Sequence, residues 1–190
     1  MTYTTILTEI RGRVGIVKLN RPQAMNAFNT TMLNELFDAL EAFDDDEKIG
    51  SLVVTGNEKA FAAGADIKEM AEASPFGMIT QGRVEMWDRI RAIKKPVIAA
   101  VSGWALGGGC EFAISCDMII AGDSSTFGYP EIDVGLIPAI HFVQLPRLVG
   151  KHQAFGPLFL GEPFDAATAF RMGLLSEVVP KGTALERARA

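Results

Sequence analysis

Cysteine is nearly absent from this chain: two in 190 residues, Cys110 and Cys116, set six apart inside apolar segments. With no further partners they read as small buried hydrophobes of a reducing compartment, excluding a disulfide framework. Histidine is as scarce, with His141 and His152 alone, and two histidines and two cysteines at these positions form no metal-ligand spacing. Basic clustering is confined to Lys94-Lys95 in a chain of formal charge −5, which argues against a phosphate-neutralising, nucleic-acid-binding face. No basic start followed by an apolar stretch heads the sequence, so no secretory signal is legible. The uninterrupted apolar runs fall far short of the roughly 20 residues that cross a bilayer. The expected setting is cytoplasmic or matrix-like, with no membrane partner.

Apolar residues make up 48% and charged residues 22%, an ordinary globular balance, and the length suits one domain over residues 1–190 with a sizeable core. Tyr3 to Ile10 and Val14 to Leu19 are β-rich around a turn at Arg11-Gly12-Arg13. Met32, Leu33, Leu36, Leu40 and Phe43 recur at helical spacing from about Thr30, before the acidic run Asp44 to Glu47. Ser51–Thr55, Val97–Val101 and Asp117–Ala121 read as strands. Between them lie a short helix from Ile67 to Ala71, a breaker at Ser74-Pro75, a longer helix from about Gly77 to Ile93, and a helix through Ser115. The last third is mostly helical. Strands that alternate with helices, and that are apolar without alternation, predict an α/β domain whose strands are buried on both faces.

Three places join small residues to polar groups: Ala63-Gly64-Ala65-Asp66, Gly107-Gly108-Gly109-Cys110-Glu111, and Tyr129-Pro130-Glu131. Each follows a strand-like run, so an α/β sheet could gather all three at one edge. Glycine permits close backbone approach, and a helix opening at Gly107-Gly108-Gly109 would aim free N–H groups forward. Two such donors beside two carboxylates form a coherent acid–base site for a carbonyl compound. Taken singly, Glu111 could face solvent, and Glu131 could be a helix-start carboxylate favoured by the dipole. A nucleotide-phosphate loop is excluded, because no Gly-Lys-Ser/Thr follows the glycines and no G-x-G-x-x-G forms. A serine elbow G-x-S-x-G is missing as well.

Over nearly its full length the chain resembles the enoyl-CoA hydratase/isomerase (crotonase) superfamily. The resemblance is carried by Asn20-Arg21-Pro22 with Asn26-Ala27, Ala60 to Met70, Lys95 to Glu111, Phe127 to Pro138, and Gly173 to Pro180. It implies a crotonase-like spiral of ββα units, an acyl-CoA thioester substrate, no separate cofactor, and assembly as a trimer or dimer of trimers. It makes the backbone N–H groups of Ala65 and Gly108 the oxyanion hole, and Glu111 and Glu131 the acid–base pair. It places Ala24, Met25, Ala63, Asp66, Ile67 and Lys68 on the CoA moiety, with no metal. Both glutamates together favour hydration of a 2-enoyl-CoA. A double-bond isomerase of the same fold and a catalytically silent acyl-CoA-binding subunit are the alternatives.

Three departures from the family pattern stand out. Gln23 replaces a basic residue common at that position. After Pro138, where relatives carry a glycine-rich stretch, this chain reads Ala139-Ile140-His141-Phe142-Val143-Gln144-Leu145, which reshapes the acyl pocket. His141 there could be a third acid–base group or a helix histidine satisfied by a backbone carbonyl. The family pattern also continues through further helices, whereas this sequence stops at Ala188-Arg189-Ala190 inside an evident helix, which reads either as a shortened C-terminal helical part or as an incomplete chain.

Overall fold

A computed structural model describes residues 3–72, 83–138 and 140–190. The first hairpin is β1 (Ile6–Arg11) and β2 (Val14–Leu19), paired antiparallel across a Gly12-Arg13 turn. Strand β1 begins three residues later than the β-rich run at Tyr3 suggests. Helix α1 (Thr30–Asp45) starts where Asn29 caps it, its side chain accepting from the Met32 N–H at 2.9 Å. Then follow β3 (Ser51–Thr55), β4 (Ala60–Ala62) and the short α2 (Ile67–Glu72). The breaker at Ser74-Pro75 and the expected helix start at Gly77 lie outside the described residues. The remainder of that helix is α3 (Arg83–Ala92).

The next strands are β5 (Val97–Val101), β6 (Trp104–Leu106), β7 (Met118–Gly122) and β8 (Thr126–Gly128). Helix α4 (Gly108–Ser115) separates the two pairs, and a 3-10 turn (Pro130–Val134) follows β8. The last third holds α5 (His141–Val149), α6 (Lys151–Leu160), β9 (Phe164–Asp165), α7 (Ala166–Arg171), β10 (Glu177–Val179) and α8 (Ala184–Arg189).

Two sheets organise these elements. A six-stranded sheet runs β1-β2-β3-β5-β7-β10, parallel except for the first hairpin. A four-stranded sheet runs β4-β6-β8-β9, parallel except for β9. Each turn of the chain therefore places one strand in the large sheet and the next in the small one: β3 then β4, β5 then β6, β7 then β8. This is the spiral of ββα units that the resemblance implies. The short strands β4, β6 and β8 have too few residues to show a period, so they were not legible as strands.

The large sheet is covered on both faces, as its unbroken apolar strands predict. Val17, Leu52, Val54 and Ala99 face the main core with α1 and α4, while Ile16, Val53, Ile98 and Ala100 pack on the other side under Ala184 of α8. At about 1.5–3 kcal/mol per fully buried aliphatic side chain, these faces supply much of the drive to fold. Cys110 is buried in the main core and Cys116 is half-buried; neither is disulfide-bonded. Among the described residues no helix is long and apolar enough to cross a membrane.

Candidate active site

The spiral brings the ends of β4, β6 and β8 side by side, and the three glycine and carboxylate constellations leave from those ends. The loop after β4 is held by an internal brace. Buried Asn26 donates its side-chain amide to the carbonyls of Ala60 (3.0 Å) and Phe61 (3.1 Å) and accepts from the Arg21 N–H (2.9 Å). The Ala63 N–H donates to the Met25 carbonyl at 3.0 Å, and Arg21 pairs with Asp66 at 2.9 Å. The Arg21 guanidinium holds the Asp66 carboxyl below its ordinary pKa. Thus Arg21 and Asn26, met in the sequence as part of a family signature, hold the Ala63–Ala65 backbone together with the Met25 carbonyl.

That backbone meets the start of α4 without intervening side chains. Gly64 has φ +95°, and a Cβ placed on it would lie 3.0 Å from the Leu106 carbonyl oxygen and 3.4 Å from the Gly108 nitrogen. A Cβ on Gly108 would stand 3.6 Å from the Ala65 nitrogen. Gly108 opens α4, so its N–H has no intrahelical acceptor, and the Ala65 N–H donates to no described residue. Two free donors therefore sit together, at the positive end of a helix dipole.

Both carboxylates border the same space. Glu111 lies in the first turn of α4, and Glu131 in the 3-10 turn that Pro130 opens. Gly107 has φ +47°, and a Cβ there would strike Glu131 Oε1 at 2.5 Å, so the carboxyl lies against the bare glycine. Glu111 Oε1 and Glu131 Oε2 are buried and bond to no described residue. Burial first, and then the Glu131 charge, pushes the Glu111 carboxyl up to about 7, partly offset by the Ile140 and His141 backbone N–H groups. Burial also raises Glu131. Two carboxyls enclosed together in this way resist ionising at the same time, so the pair favours holding a proton between them.

A cavity of about 410 Å³ opens onto these four groups. Ala63, Ala65, Ile67 and Gly108 line it with Glu111 and Glu131. Ala24, Met25, Asp66 and Lys68, expected on the CoA moiety, do not line it: Asp66 is turned to Arg21, and Met25 contributes its carbonyl to the brace. Sequence reasoning missed the apolar wall of Phe28, Leu33, Trp87, Leu136 and Ile137. These come from separate elements, and nothing in the sequence marks them apart from core residues. A larger crevice, about 490 Å³, opens elsewhere between Lys18, Asn57, Lys59 and Ser102, and none of the three constellations borders it.

His141 meets neither expectation. Its ring is fully buried edge-on to Tyr129, with centroids 4.5 Å apart, and neither ring nitrogen makes a hydrogen bond to a described residue. Burial depresses its pKa to about 3, so it is neutral at any ordinary pH, and it does not line the cavity. The Cys110 thiol donates to the Tyr129 hydroxyl at 3.3 Å, and burial pushes the thiol up to about 12, which leaves it inert. No cluster of three or more potential metal ligands occurs among the described residues.

Comparison with known proteins places this arrangement. The family described as enoyl-CoA hydratase/isomerase matches residues 9–190. "Probable enoyl-CoA hydratase echA8" of Mycobacterium tuberculosis (strain CDC 1551 / Oshkosh) is 49% identical, the alignment covering 100% of this chain and 74% of the relative. The 2,3-dehydroadipyl-CoA hydratase of Escherichia coli (strain K12) is 45% identical over 93% of this chain and 69% of its own. A crystal structure of an enoyl-CoA hydratase subunit from Geobacillus kaustophilus HTA426 superposes with a TM-score of 0.95 at 40% identity, covering 98% of this chain and 73% of that one. With the fold and the match over residues 9–190 in agreement, the chain belongs to the enoyl-CoA hydratase/isomerase family.

Proposed function

We propose that the protein is an enoyl-CoA hydratase that adds water across the 2,3 double bond of a 2-enoyl-CoA thioester. The observation that carries the reading is the convergence of two free backbone N–H groups and two buried carboxyls with unpartnered oxygens on one cavity. The Ala65 and Gly108 N–H groups receive the thioester carbonyl oxygen. As water attacks C3, negative charge moves through C2 onto that oxygen, and each preorganised donor there is worth about 3–4 kcal/mol. Glu111 takes a proton from the attacking water, which leaves hydroxyl on C3. Glu131 orients that water and delivers a proton to C2, collapsing the enolate to the 3-hydroxyacyl product. CoA enters as part of the substrate, and the chemistry needs no further cofactor.

The CoA moiety would approach along Ala63 and Ile67, with Ala24, Met25, Asp66 and Lys68 outside the acyl cavity. The reading includes assembly as a trimer or dimer of trimers in a cytoplasmic setting. The exposed apolar side chains of Val143, Leu148, Phe155 and Phe159 on α5 and α6 offer surface for such contacts.

Hydration removes the conjugation between alkene and thioester, so crotonyl-CoA should lose its ultraviolet enone absorbance in the presence of the protein. Glu111→Gln and Glu131→Gln should each lower kcat by about 100-fold or more with little change in KM, the size expected for a lost acid or base. Binding of CoA esters with no turnover of any enoyl-CoA would replace this reading with a silent binding subunit. Conversion of a 3-enoyl-CoA with no loss of crotonyl-CoA absorbance would replace it with an isomerase.

A further inference from the structure

We propose that the acyl cavity selects neutral aliphatic acyl groups and rejects acyl chains that end in a carboxylate, with Asp133 as the discriminating charge at its rim. This rests on the hydratase reading, whose site it deepens. Among the described residues that line the cavity the charged side chains are Glu111, Glu131 and Asp133, and all three are acids. Asp133 is exposed and follows Glu131 by two residues in the same 3-10 turn. The rest of the acyl wall is hydrocarbon or aromatic, from Phe28, Leu33, Trp87, Leu136 and Ile137.

Among the described residues, the cations on neighbouring elements do not change this balance. Arg21 is engaged by Asp66 at 2.9 Å, and Arg89 is held by Glu41 (2.6 Å) and Asp38 (2.7 Å). His141 is neutral, buried behind Tyr129, and does not line the cavity; nor does Lys68. A distal carboxylate drawn in with an acyl chain would lose hydration, find no cation among the described residues that line the cavity, and meet the Asp133 carboxylate beside the negative charge that the glutamate pair shares. Desolvation without pairing is the most costly way to bury a charge. A methyl-terminated chain of the same length meets only apolar surface and gains from burial.

The test compares two six-carbon substrates of the purified protein, 2-hexenoyl-CoA and 2,3-dehydroadipyl-CoA, by loss of enone absorbance. The expected result is kcat/KM at least about 100-fold higher for 2-hexenoyl-CoA, the scale on which an unpaired buried polar group discriminates. Asp133→Lys should shrink that ratio by about tenfold or more, since it exchanges a repulsive rim charge for an attractive one. Equal efficiencies, or a preference for 2,3-dehydroadipyl-CoA, would overturn the proposal while leaving hydration intact. An unchanged ratio in Asp133→Lys would remove Asp133 from it. If neither substrate is turned over the hydratase reading fails, and calorimetric binding of hexanoyl-CoA against adipyl-CoA then decides the cavity's preference: tighter hexanoyl-CoA supports it, equal or weaker overturns it.

Discussion

The two glutamates differ from the other carboxylates described here in each enclosing one oxygen that bonds to no described residue. Glu35, by contrast, accepts from the Thr5 hydroxyl and from the Thr4 and Thr5 N–H groups, which together hold its carboxyl down at about 2. The raised pKa of Glu111 carries a stability consequence with a definite sign. Its folded-state pKa, about 7, stands above the ordinary 4.5, so the folded state holds the proton more tightly than the unfolded chain. Its contribution is fully present below about pH 4.5 and is lost as pH rises through about 7. Glu111→Gln, which stays neutral, should therefore match the wild type in stability near pH 4 and exceed it at pH 8. The gain should be on the order of 3 kcal/mol, the linkage value of that shift. Urea unfolding at both pH values measures it, and a difference that does not change with pH would refute it. Both glutamates were legible in the sequence because each follows a glycine or proline breaker. Their enclosure was not, since burial depends on what packs over them. His141 illustrates the same limit: its residue type suggested proton transfer, while its surroundings keep it neutral.

At the level of single elements, the start of α4 sets the geometry. The run Gly107-Gly108-Gly109 was legible as a strand-to-helix turn, and it is one, with Gly107 as the residue before the helix at φ +47° and ψ −125°. Only glycine adopts such a pair of angles without strain, which costs about 1–3 kcal/mol for other residues. Gly107→Ala also inserts a methyl where Glu131 Oε1 lies. It should lower the melting temperature modestly and reduce kcat on crotonyl-CoA by far more than the loss of stability accounts for. An alanine variant with wild-type kcat would show that the Glu131 carboxyl does not depend on the bare glycine. The segment after Pro138 behaves differently. The bulky residues there pointed to a reshaped pocket, and they form the first turns of α5, which bring Ile140 into the cavity wall and aim two N–H groups at Glu111.

Across the whole molecule, Phe112 joins the parts that make the cavity. Fully buried on α4 one position past Glu111, its ring lies 5.9–6.4 Å from those of Phe28, Phe37, Phe61 and Trp87. These come from the loop before α1, from α1, from β4 and from α3. Phe112→Ala should cost about 3–5 kcal/mol, as large core deletions do. Chemical denaturation measures it, and a cost under about 1 kcal/mol would mean that the cluster relaxes around the loss. Phe28 and Trp87 also line the cavity, so the same substitution should loosen the acyl wall.

By itself the sequence determined the class of fold, the large-sheet strands and the candidates for the reacting groups. Unbroken apolar runs such as Val97–Val101 can be buried only on two faces, and glycine and proline breakers mark where the chain turns. The tertiary structure decided everything that depends on distant segments meeting. The short strands β4, β6 and β8 exist because they pair with one another, and each alone is too short to carry a pattern. The same pairing brings Ala65 beside Gly108 and Glu111 beside Glu131 from loops far apart in the chain. Burial then sets the protonation of that pair, and it is a property of the assembled site alone.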